Sequence, residues 1–186
     1  MEDAINYSKY KKQLINHCRK VISEFSRTRA NQDVYIFVID AQSDIGTTLI
    51  RWNTYWGLNE TLKLSSYKAK TKDEIYKHNG LKYSIGDFYF EELVPDPDLE
   101  KLERKYTEFM GNSDEEDIEY NHNKFMTTLV EVLLEIKSSF ELLHKTEEFI
   151  SYVVDHDDDD FMYLRKTVDE EAFYKAFPEL KDVAIY

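Results

Sequence analysis

The 186-residue chain carries 37 Asp and Glu against 24 Lys and Arg, a formal net charge of -13, so its surface repels phosphate backbones and anionic lipid and disfavours nucleic-acid or membrane partners. Its 42% hydrophobic and 15% aromatic content excludes bulk disorder and suffices for one domain, residues 1–186, with a real core. The single Cys18 excludes an internal disulfide and fits a reducing compartment.

No basic segment leads into an apolar run at Met1-Glu2-Asp3, and no stretch approaches the roughly 18 apolar residues of a membrane helix. The expected location is the cytoplasm. Only 5 Gly and 3 Pro are present, which argues against a turn-rich sandwich or barrel and for long helices.

Tyr7, Tyr10, Leu14, Cys18, Val21, Ile22 and Phe25 recur at steps of three and four, the apolar face of an N-terminal helix. Val34 to Ile39 is β-branched and aromatic at every position, which predicts a central strand buried on both faces. Ser43-Asp44-Ile45-Gly46 reads as a turn and Thr47 to Trp52 as a second strand. Asn53-Thr54 is a corner opening a helix. Thr71-Lys72-Asp73-Glu74 is a capping box for a short helix that stops at Asn79-Gly80. Leu81 to Ile85 and Phe88 to Leu93 read as a third strand, bent at Gly86-Asp87.

Pro95-Asp96-Pro97 divides this sheet-forming half, residues 1–94, from a mainly helical half, residues 95–186. Leu99, Leu102, Tyr106 and Phe109 share one helix face. Gly111 to Asp117 reads as an acidic break. A longer helix is expected from about Asn121 to Leu143, with Leu129, Leu133 and Ile136 on its core stripe. Phe149 to Val154 has strand composition and returns to the sheet. Thr167-Val168-Asp169-Glu170 reads as a second capping box, opening a helix that ends before Phe177-Pro178. The expected fold is α/β or α+β, with a small, mainly antiparallel central sheet of about four to five strands. It packs against the N-terminal, long central and C-terminal helices.

Charge is unevenly placed. Residues 91–120 hold twelve acids against three bases, and a second acid run spans Asp155 to Asp160. Asp155, Asp157 and Asp159 imitate the start of a calcium loop, but the sixth position is Asp160 instead of Gly and the twelfth is Lys166 instead of Glu. No tight metal site is expected there. The five histidines have no compact ligand spacing, and no P-loop, GxGxxG or GxSxG is present. Cys18, on an apolar helix stripe, reads as a structural thiol. Trp52, Asn53, Tyr55 and Trp56 concentrate both tryptophans at a strand-to-helix corner, where aromatics either line a pocket or seal a core.

The order of elements carries a resemblance. A Val34-Tyr35-Ile36-Phe37-Val38 strand, a turn, a strand and Asn53-Thr54 opening a helix precede the segment Tyr83-Ser84-Ile85-Gly86-Asp87-Phe88-Tyr89. Paired helices, a strand, the Asp155 to Asp160 run and a capped terminal helix follow. Over nearly the whole chain this resembles the bacterial domain-of-unknown-function family 4303. The resemblance implies an α/β or α+β fold and no established enzymatic activity. Families of this kind are similar in size, acidity and genomic habit to immunity proteins of bacterial toxin systems, such as the SUKH type.

Three functions follow as expectations. The first is a non-enzymatic protein that masks a basic toxin or effector through Asp114, Glu115, Glu116, Asp117, Glu119, Asp157, Asp158 and Asp159, with no cofactor. The second is a metal-assisted hydrolase built on Asp155, Asp157 and Asp159. The third is a small-ligand sensor with a pocket at Trp52 to Trp56.

Overall fold

The computed structural model describes residues 5–92, 96–156 and 162–183. Helix α1, Tyr7–Ser26, is opened by Asn6, whose side chain accepts from the Lys9 amide. Strand β1, Val34–Gln42, turns through Gln42 to Gly46 into the antiparallel strand β2, Thr47–Thr54. Gly46 has φ +68, and a side chain there would collide with the Tyr106 ring. The left-handed backbone and the close approach both require glycine at this turn.

Thr54 caps helix α2, Tyr55–Thr61, and Thr71 with Glu74 forms the expected capping box of α3, Lys72–Tyr76. The long third strand does not form. Leu81–Tyr83 and Ile85–Asp87 are 3-10 turns, and only Phe90–Glu91, β3, pairs with β2. The reason is packing: Leu81, Tyr83 and Phe88 are buried in the core, and the Tyr83 hydroxyl donates to the Ala176 carbonyl. Ladder pairing would withdraw these side chains from that core.

Helix α4, Pro97–Met110, is capped by Asp96 and carries Pro97 in its first turn. Helix α5 runs Glu115–Ile136 and ends in a 3-10 segment, Lys137–Leu142. It therefore begins six residues before the expected Asn121. Asp114 accepts from the Asp117 amide, and three acids occupy the first turn. Carboxylates there are favoured by the positive end of the helix dipole, so a composition that reads as a loop opens a helix instead.

Strand β4, Lys145–Asp155, completes the sheet in the order β3-β2-β1-β4. It runs parallel to β1, while the other two pairings are antiparallel. The sheet is thus four-stranded and mixed. Helix α6, Met162–Thr167, follows, and Asp169 caps α7, Glu170–Ala176. The cap of this last helix is Asp169 rather than the expected Thr167, whose hydroxyl donates to the Tyr163 and Leu164 carbonyls.

β1 is central and buried on both faces, as its unbroken apolar pattern requires. Phe37, Ile39 and Ala41 share one apolar cluster with residues of α1, α4 and α5, including Leu14, Tyr106, Leu129 and Leu133. Ile36 and Val38 belong to a second cluster with Leu58, Tyr83, Phe173 and Phe177. The fold is α+β, with helices on both sides of one sheet. Among the described residues, no helix is long and apolar enough to cross a membrane.

Candidate functional site

The first two turns of α5 are exposed, with Asp114 and Asp117 bordering a shallow cleft beside the end of α4. Asp114 through Tyr120 are all exposed, and Asn121 is the first buried residue of the helix. At 1.5 Å per residue, this free segment spans about 9 Å. It presents Asp114, Glu115, Glu116, Asp117 and Glu119, none of which has an ion-pair partner among the described residues. Between the acids stand two large apolar side chains, Ile118 at 38% exposure and Tyr120 at 60%. Asp157, Asp158 and Asp159, the other acids expected to meet a partner, lie outside the described residues.

The tryptophan corner divides between different surroundings. Trp52 is buried, stacked 5.9 Å from the Phe90 ring and edge-on to Phe25 at 5.2 Å. Asn53 is buried and accepts from the Thr54 amide, which fixes the turn into α2. Tyr55 reaches the second cluster, where its hydroxyl donates to Glu148 and accepts from Lys82 Nζ. Trp56 alone of the four faces solvent, edge-on to the exposed Tyr89 at 5.0 Å.

Tyr55 belongs to an arrangement that sequence reasoning missed. Lys82 is buried, its Nζ lying 5.0 to 5.1 Å from the ring centres of Tyr35, Tyr55 and Tyr83 and 2.8 Å from Glu148. This is an aromatic cage filled by the chain's own cation. Burial alone would raise the Glu148 carboxyl, but the hydrogen bonds from Lys82 and Tyr55 hold it below the usual range. The cage pins the 3-10 segment Leu81–Tyr83 onto the sheet.

A second cluster gathers at the carboxyl ends of the parallel strands β1 and β4, the position where α/β sheets commonly bind ligands. The Asp155 carboxylate accepts from the Ser43 amide at 3.3 Å and from the Ser43 hydroxyl. His122 Nδ1 lies 2.8 Å from Ser43 Oγ and 3.8 Å from Asp155. On the opposite face, Asp40 meets Arg51 Nε at 3.3 Å and His156 Nδ1 at 3.2 Å. Burial pushes the Asp40 carboxyl up, and the contacts with His156 and Arg51 only partly oppose this.

Serine, histidine and aspartate are together here, but in the wrong order for a hydrolase. A catalytic histidine stands between the other two and takes the serine proton. In this chain Ser43 stands between them, donates its hydroxyl hydrogen bond to Asp155, and is buried. The arrangement is a clamp joining the β1–β2 turn, β4 and α5. Replacing Ser43 by Ala should cost about 1–3 kcal/mol in urea unfolding, because a buried carboxylate keeps the backbone amide but loses its hydroxyl donor. A fluorophosphonate probe should leave Ser43 of the wild-type protein unlabelled. Labelling at Ser43 would make it a nucleophile.

Asp155 is therefore already engaged, while Asp157 and Asp159 lie outside the described residues. No group of three metal-ligating side chains converges among the described residues. Cys18 is fully buried, and that burial pushes its thiol far above the usual range. Glu103 on α4 was not signalled by the sequence. Its Oε1 accepts from the Thr48 amide, the Thr48 hydroxyl and the Tyr10 hydroxyl, yet burial raises its carboxyl to about 7.

The chain matches the family model of a domain of unknown function, DUF4303, over residues 14–171. No curated protein and no solved structure gives a significant match.

Proposed function

Since the chain belongs to the DUF4303 family, which is defined without an activity, we propose from its own chemistry that it is a non-enzymatic protein-binding domain of the immunity type. In this reading it masks a basic toxin or effector with the free N-terminal turns of α5. One observation carries the reading. Seven consecutive residues, Asp114 to Tyr120, are exposed around a helix that holds Ile118 and Tyr120 among five carboxylates without ion-pair partners among the described residues. Acids rimming apolar anchors are what a cationic partner needs: charge to steer the encounter and buried apolar contact to retain it.

The test is affinity capture from the native host, followed by association kinetics at two salt concentrations. Exposed ion pairs contribute about 0–1 kcal/mol each, so single acid substitutions should do little. Replacing Asp114, Glu115, Glu116, Asp117 and Glu119 together by Asn or Gln should slow association roughly tenfold at low salt. The deficit should shrink as the Debye length falls. Asn at position 114 still caps the helix, so folding should hold. Ile118→Ser with Tyr120→Ser should instead hasten dissociation. A captured partner whose association ignores both the neutralisation and the salt would sink the proposal.

A further inference from the structure

A cleft of about 890 Å3 opens where the first turn of α1 meets α4 and α5. Its inner wall is aromatic: Phe125 is flanked by Tyr106 at 4.8 Å and Tyr10 at 5.5 Å between ring centres. Lys9 from α1, Lys105 from α4 and Lys124 from α5 complete the lining. The chain has 37 acids, yet none of the eleven lining residues is Asp or Glu.

Nor does any carboxylate among the described residues pair with these three lysines, whereas Lys63, Lys77 and Lys101 each have one. Lys124 Nζ instead lies 4.8 Å above the Tyr7 ring. The Tyr106 ring, on a residue only 2% exposed, stands edge-on to the Tyr7 ring at 6.4 Å and closes the wall beneath this cation. Three lysines with no carboxylate partner among the described residues, bordering one cavity that no acid lines in a molecule of net charge -13, describe an anion site whose anion is not supplied by the described residues. The amino end of the 20-residue α1 adds positive potential to the same wall.

We propose that this cleft binds a small organic anion, with a flat apolar body against the aromatic wall and a carboxylate or phosphate head on Lys9, Lys105 and Lys124. The volume falls within the range of small-molecule sites, and aromatic side chains beside a few convergent polar groups are part of their usual chemistry. The proposal is independent of the acidic turns of α5.

Titration with 1-naphthyl phosphate and with 1-naphthoate tests it, read by calorimetry and by amide shifts in NMR. Both anions should bind saturably at one site, with shifts centred on Lys9, Tyr10 and Lys124. Inorganic phosphate and neutral 1-naphthol should bind at least about tenfold more weakly, since each offers half of the recognition. Lys105→Met and Lys124→Met should each weaken the aromatic anions roughly tenfold, the loss of a charge-assisted contact. Lys68→Met, away from the cleft, should not. In the wild-type protein, added salt should weaken binding, a readout that needs no variant. Absence of saturable binding below about 5 mM, naphthol binding as tightly as the anions, or binding indifferent to salt and to both lysine substitutions would each overturn the proposal.

Discussion

Leu133→Ala should lower stability by about 2–5 kcal/mol. Leu133 is fully buried on α5 and belongs to the apolar cluster that spans α1, β1 and α5. Its helical neighbours Leu129, Val132 and Ile136 are also fully buried, so the space left by three missing carbons has rigid walls and cannot close cheaply. The adjacent Leu134 is 45% exposed and provides the internal control. Leu134→Ala should change stability by less than about 0.5 kcal/mol, because little area returns to water and alanine favours the helix. Urea unfolding of the pair measures both. A loss below about 1 kcal/mol at position 133 would remove this leucine from the core, by the standard of surface substitutions.

That contrast between neighbours could be read in the sequence, because periodicity reports which residues share a face. The same signal identified α1 and the doubly buried β1, and capping chemistry placed the start of α3. The signal failed where two physical causes give one composition. An acid-rich run is equally a solvated loop or the favoured first turn of a helix, and at Glu115 the second cause decided. Leu81 to Leu93 has the apolar content of a strand, but Leu81, Tyr83 and Phe88 are buried without the pairing that would make one. The parallel direction of β4 depends on long-range packing, of which residues 145–155 carry no local trace.

The candidate sites were less legible for the same reason. The acids of α5 are adjacent in sequence and could be named together. Ser43, His122 and Asp155 are brought together from three distant segments. The lysines at positions 9, 105 and 124 likewise converge only when three helices pack. Sequence separation also hid Glu103. An acid on an amphipathic helix is ordinarily solvated, and only the approach of Tyr10 and Thr48 buries this one.

Glu103 should make the protein less stable as pH rises toward neutrality. Its folded-state value, about 7, stands above the ordinary 4.5 because burial penalises the carboxylate. A raised carboxyl favours the fold at pH below its unfolded value, and that contribution is lost as pH climbs through the folded one. The window is therefore about pH 4.5 to 7, and the full loss is at most about 3 kcal/mol at 1.36 kcal/mol per unit. The general repulsion of a chain at net charge -13 moves stability in the same direction, so the pH profile of the wild-type protein alone does not isolate the residue. Glu103→Gln does. All three hydrogen bonds to this side chain arrive at Oε1, which glutamine retains as a neutral acceptor of the same shape. The variant should match the wild type near pH 4.5 and exceed it by about 1–3 kcal/mol at pH 8, where the wild-type fold must hold a buried charge. Urea unfolding of both proteins across that range gives the difference, from which the shared repulsion cancels. A difference that stays constant from pH 4.5 to 8 would mean that Glu103 titrates as an ordinary surface acid. In that case the contacts from Thr48 and Tyr10 already compensate for its burial.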